Sequence, residues 1–131
     1  MSVAFDTEAL LTFYLGEPGG KNVERYLTKV MKGEVKGYLN IINLTELYYI
    51  LYRRNPDLAE KKERNLRDYG LKIVPVDDNE LWKEAAKTKG THALSLADAF
   101  AVATAKVKKA NLLVGRDAEF HDMDVSIERI S

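Results

Sequence analysis

A chain of 131 residues suits one domain, residues 1–131, with enough volume for a real core. Twenty Lys and Arg stand against twenty Asp and Glu, which argues against a polycationic nucleic-acid binder but not against a local basic surface. With no cysteine and two histidines, disulfides, thiolate sites and a multi-histidine zinc centre drop out, and no apolar run approaches the ~20 residues of a membrane span.

The chain opens without the basic segment of a signal peptide, so the expected location is the cytoplasm. Val3-Ala4-Phe5 is a short apolar run ending at Asp6 and reads as a buried strand. A helix follows from Thr7 to Leu15, and Gly16-Glu17-Pro18-Gly19-Gly20 is loop chemistry. Asn22 to Lys32 reads as a second helix, with Val23, Tyr26, Leu27 and Val30 on one face. Gly37 to Ile42 is the next strand. Leu44, Leu47, Tyr48, Ile50 and Leu51 then fall at helical spacing until Asn55-Pro56-Asp57 breaks the pattern. A charged helix from Leu58 to Tyr69 stops at Gly70, and Leu71 to Val76 is a third strand. Asp78 to Thr88 is a helix, in which Trp82 and Leu81 read as core. A turn at Gly90-Thr91-His92 leads to a helix from Ser95 to Lys108. Leu112-Leu113-Val114 is a fourth strand, and Val125 to Ile130 has the character of a short edge strand. Alternating strands and helices predict a three-layer α/β/α domain with a mostly parallel sheet of four to five strands.

In such sheets ligands bind beyond the carboxyl ends of the strands. Asp6 directly follows the first strand, and Asp117 follows the fourth by two residues. Glu46 reads as belonging to the first turn of the helix after the second strand. Asp98 is the only charged residue from Ala93 to Ala105, where the helix is apolar nearly all round and so should be buried. Helix capping is the plain alternative. Asp6 and Asp117 suit N-caps, and Asn43-x-x-Glu46 and Ser95-x-x-Asp98 have the spacing of loose capping boxes. Capping has no preference for charge, however, and four carboxylates at one sheet end repel one another unless a cation joins them. All-oxygen ligands suit Mg²⁺ or Mn²⁺.

The same residues carry a resemblance. Val3-Ala4-Phe5-Asp6-Thr7-Glu8-Ala9-Leu10-Leu11, Asn43-Leu44-Thr45-Glu46-Leu47, Leu94-Ser95-Leu96-Ala97-Asp98-Ala99 and Leu112-Leu113-Val114-Gly115-Arg116-Asp117-Ala118-Glu119-Phe120 are similar, in order, to the four acidic segments of PIN domains. The loop Leu15 to Gly19 fits as well, and among PIN domains the sequence most resembles the VapC-type toxins of toxin–antitoxin pairs. The resemblance implies a Mg²⁺- or Mn²⁺-dependent endoribonuclease cleaving single-stranded RNA. It implies Asp6, Glu46, Asp98 and Asp117 as catalytic and metal-holding acids, with Glu46 as ligand or water-orienting base. Thr7 would hold a carboxylate or a metal-bound water. The family's habits imply a homodimer and a cognate antitoxin partner. Two positions depart from the pattern: Glu8 stands where Ser, Asn or a small residue is usual, and Gly115 where Thr or Ser is common.

Arg116 adjoins Asp117 and is a candidate contact for a substrate phosphate, with an ordinary loop arginine as the alternative. The basic stretch from Arg53 to Lys72 is interrupted by acids at i,i+4 spacing and reads as a solvated helix face rather than an RNA track. Tyr48, Tyr49 and Tyr52 suit a dimer interface more than base stacking. His121 reads as a surface-loop histidine. Two rival functions remain open: a non-catalytic module binding RNA or protein, and a phosphotransferase working through an aspartyl-phosphate at Asp6.

Overall fold

The computed structural model describes residues 1–115, 120 and 125–129. Among these residues five strands, β1 (Ser2–Phe5), β2 (Lys36–Asn40), β3 (Lys72–Val74), β4 (Asn111–Val114) and β5 (Ile127–Arg129), form one sheet in the order β3-β2-β1-β4-β5. Every pairing is parallel, and Ala4 sits between Tyr38 on one side and Leu112 on the other. Parallel pairing requires crossovers, and among the described residues six helices supply those from β1 through to β4: α1 (Thr7–Tyr14), α2 (Gly20–Met31), α3 (Ile41–Arg54), α4 (Pro56–Tyr69), α5 (Asn79–Thr91) and α6 (Leu96–Lys108).

Side chains alternate across the sheet, and this divides the core in two. Val3, Phe5, Leu39 and Leu113 point to the face covered by α1 to α4, where they meet Leu10, Leu27, Leu47 and Leu66. Ala4, Leu112 and Val114 point to the opposite face and meet Ala101, Val102 and Ala105 of α6. Leu81 and Ala85 of α5 pack with Ala103 of α6 beside Val74. The small residues of α6 let it lie close to the sheet, and Ala99, Ala101, Val102, Ala103, Thr104 and Ala105 are all buried, as an all-round apolar helix requires. Leu10 is fully buried on the first face. Its replacement by Ala is expected to cost about 2–5 kcal/mol, read as a lowered urea midpoint with an unchanged slope.

Local chemistry accounts for the boundaries. Asn55 caps α4 by accepting from the Asp57 N–H, Pro56 occupies the first turn, and Gly70 closes the helix at φ 95°. The charged face of α4 is solvated, with an Arg67–Glu63 ion pair one turn apart and Glu60 accepting from Tyr48.

Five sequence expectations change. The second strand ends at Asn40, not Ile42, because the Asn40 side chain accepts from the Ile42 N–H and starts α3 there. Asn43 and Glu46 therefore lie inside a helix already begun, and they do not form a capping box. The third strand stops at Val74, before Pro75, which has no N–H for a ladder. Gly90 and Thr91 belong to the last turn of α5 rather than to a separate turn. Trp82 is not core: it is 43% exposed, its indole N–H donates to Asn79 Oδ1, and Leu81 alone faces inward.

Candidate functional site

The strand order places a topological switch point between β1 and β4. From β1 the chain builds outward through β2 and β3, then returns to β4 on the other side of β1. The crossovers leave in opposite directions there, opening a crevice at the carboxyl ends of both strands. Asp6 follows β1 and Gly115 follows β4, so both stand at that crevice.

Asp6 is 1% exposed. Its backbone N–H donates to the Leu113 carbonyl across the β1–β4 seam. One carboxylate oxygen accepts from the Ala9 N–H at 2.8 Å and caps α1. Burial pushes its pKa from 3.8 up to about 7; the Ala9 N–H opposes the shift, the Asp98 charge adds to it, the Gly115 N–H opposes it, and the Glu8 charge adds to it. Capping and a functional role thus coexist in this residue. The burial also argues against Asp6 as an exposed nucleophile attacking a phosphate.

Asp98 is half-buried in the first turn of α6, after Ser95, whose hydroxyl accepts from the Asp98 N–H. Its carboxylate is near enough to act on Asp6. Glu46 is half-buried and sits in the second turn of α3, not the first, because α3 begins at Ile41. Helix α3 packs against both α1 and α6. Asn43, one turn before Glu46 on the same side, makes the link. Its amide donates to Thr7 Oγ1 at 3.3 Å and to the Ala97 carbonyl at 3.0 Å. The Thr7 hydroxyl in turn donates to the Asn43 carbonyl at 3.2 Å. Thr7 therefore directs its proton to α3 and ties the start of α1 to that helix.

Asn43 is fully buried, and its Oδ1 has no hydrogen-bond partner among the described residues. An unsatisfied buried acceptor costs about 1–3 kcal/mol, which a bound water or ion recovers. Sequence reasoning assigned Asn43 only to a cap; a polar residue flanked by Ile42 and Leu44 was the available signal. Asn43→Ala is expected to lower stability by about 1–3 kcal/mol in a denaturant titration. Any activity of the site should fall about 10²-fold, because Asn43 touches the neighbours of both Asp6 and Asp98.

The donor chemistry of Asp6, Glu46 and Asp98 is all oxygen, which fits a hard divalent cation. Two acids in each other's field, with a buried acceptor left over nearby, form a place that a cation would relieve. Among the described residues, no three acids stand close enough to hold an ion between them. Asp117 and Arg116 lie outside the described residues, as does His121. Of the expected acids, the structure brings Asp6 and Asp98 together and places Glu46 on the helix that joins them.

An all-parallel α/β domain with acids at its switch point defines a class of crevice enzymes and binding domains. Comparison narrows the class. The family model for the PIN domain matches residues 3–126, and the chain belongs to the PIN domain family. PIN domains are generally nucleases and typically use divalent metal ions. Among solved structures, a toxin–antitoxin complex from Klebsiella pneumoniae superposes with a TM-score of 0.77 at 15% identity, covering 98% of each chain. VapBC2 from Rickettsia felis, bound to a DNA fragment from their promoter, gives 0.75 at 14% identity over 98% of each chain. FitAcB from Neisseria gonorrhoeae gives 0.70 at 22% identity over 98% of this chain and 97% of that one. These likenesses establish a shared fold. None of the curated proteins matches the sequence closely enough to count as a relative. Among the described residues, no helix is long and apolar enough to cross a membrane.

Proposed function

We propose that the chain is a single-domain, Mg²⁺- or Mn²⁺-dependent endoribonuclease acting on single-stranded RNA in the cytoplasm, as the toxin of a toxin–antitoxin pair. The observation that carries this reading is the buried Asp6 carboxyl beside Asp98 at the β1–β4 switch point of a PIN domain. In this reading Asp6, Asp98 and Asp117 hold the divalent ion, and Glu46 is a further ligand or orients water. The ion supplies Lewis-acid stabilisation of charge on the scissile phosphate.

The chain's own residues do the rest. The Ala9 and Gly115 N–H groups fix the Asp6 carboxylate, so it meets a cation without reorganising. Asn43 keeps α1, α3 and α6 in register around it. Arg116 adjoins Asp117 in sequence and suits a substrate phosphate. An antitoxin partner is favoured by the Klebsiella pneumoniae structure, which is a toxin–antitoxin complex. A homodimer is favoured by Tyr49 and Tyr52, which are 46% and 52% exposed on α3.

The test is a panel of single-stranded RNAs incubated with the purified protein in Mn²⁺, in Mg²⁺ and in EDTA. Cleavage that depends on the ion is the expected result. No cleavage, together with no thermal shift on adding either ion, favours a non-catalytic binding module instead.

A further inference from the structure

Glu8 and Gly115 both depart from the family pattern, and the structure brings the two residues against each other. Glu8 lies in the first turn of α1, and Gly115 follows β4. An added Cβ on Gly115 would stand 2.4 Å from Glu8 Cγ, 2.5 Å from its carboxyl carbon and 2.7 Å from its Cβ. The space that a side chain at position 115 would need is therefore filled by Glu8. Gly115 also faces Asp6, because its N–H donates to the Asp6 carboxylate. The Glu8 carboxyl group is thus folded back over the end of β4, on the switch-point side of α1. It does not turn outward along the helix into solvent, and it is half-buried.

We propose that Glu8 is a fifth acid of the crevice, a positioning residue that strengthens cation binding beside Asp6, and that Gly115 is the residue that makes room for it. The inference rests on the metal-dependent reading above and deepens it. A hydroxyl side chain at 115 would be neutral, whereas Glu8 brings a full negative charge to the same space. Affinity for hard cations rises with the charge of the surrounding oxygens. Even an alanine at position 115 is blocked by the Glu8 Cβ, which no side-chain rotation can move. The close approach of α1 to β4 is thus built into the backbone, and it keeps position 115 without a side chain, so that the Glu8 carboxyl group can occupy that space.

The experiment is Mn²⁺ binding by calorimetry on the full chain, comparing wild type with Glu8→Gln and Glu8→Ala at low and high salt. Glu8→Gln keeps the shape and removes only the charge. Binding about tenfold weaker in both variants is expected, with the difference shrinking as salt screens the lost charge. A packing role alone would weaken Glu8→Ala and spare Glu8→Gln, and it would show no salt dependence. Wild-type affinity in Glu8→Gln overturns the proposal while leaving the nuclease reading intact. Absence of Mn²⁺ binding in the wild type itself overturns both.

Discussion

Asp6→Asn is expected to abolish RNA cleavage and, in EDTA at pH 8, to make the protein more stable. Asp6 is an acid whose folded pKa, about 7, lies above its ordinary value of 3.8. Between those values the folded chain holds a proton that the unfolded chain has released. The group's contribution to stability is therefore fully present below pH 3.8, falls as pH rises towards 7, and stays low above it. The shift corresponds to about 4 kcal/mol at most, since each unit of pKa is worth about 1.4 kcal/mol. Asparagine carries no charge to desolvate and still accepts from the Ala9 N–H, so the α1 cap survives. It gives up the bond from Gly115, worth about 1 kcal/mol. A net gain of about 2–3 kcal/mol remains at pH 8. Urea titrations from pH 4 to pH 8 measure it: the wild type should lose stability across this range and the variant should stay flat. Added Mn²⁺ should stabilise the wild type and leave the variant unmoved, because only a species that binds the ion gains from it. Parallel pH profiles for the two proteins would show that Asp6 is not the group under strain.

Asp98→Asn is the second large effect. Cleavage should fall on the order of 10³-fold or more, because the ion that would stabilise transition-state charge loses one of its ligands. The fold should persist. Asp98 is half-buried at the start of α6, Ser95 still accepts from the residue-98 N–H, and the buried alanines further along hold the helix to the sheet. The variant also has a signature that loss of activity alone lacks. Asp98 raises the Asp6 pKa, so its neutralisation should move the falling limb of the stability profile to lower pH. Full nuclease activity in Asp98→Asn would end the assignment of the site. Unchanged Asp6 titration would show that the two carboxyl groups do not share a crevice.

The candidate site was readable in sequence where chemistry and spacing coincide. Asp6 ends an apolar run, so its position at a strand's carboxyl end follows from the run itself. Asp98 stands alone in an apolar helix, where a charge is costly without a purpose. Glu46 was singled out as a candidate from its place in a helix after a strand, but its turn was misassigned. Asn40 is both the last residue of β2 and the cap of α3, and Ile41 and Ile42 fit a buried strand as well as a helix. Trp82 was misplaced for a related reason: helical spacing does not say which side of α5 meets the sheet, and Leu81 took that side.

Local patterning determined the alternation of strands and helices, the parallel sheet that follows from it, and the acids at its edge. These depend on neighbouring residues along the chain. Tertiary structure alone decided the strand order, and with it the β1–β4 crevice, because parallel strands can be added on either side of β1 at little difference in local energy. It alone revealed that Asn43 joins three helices, with its partners 36 and 54 residues away. It also turned the two departures, Glu8 and Gly115, into one feature. Their complementarity is steric, and steric fit exists only once two distant backbones are brought within a few ångströms.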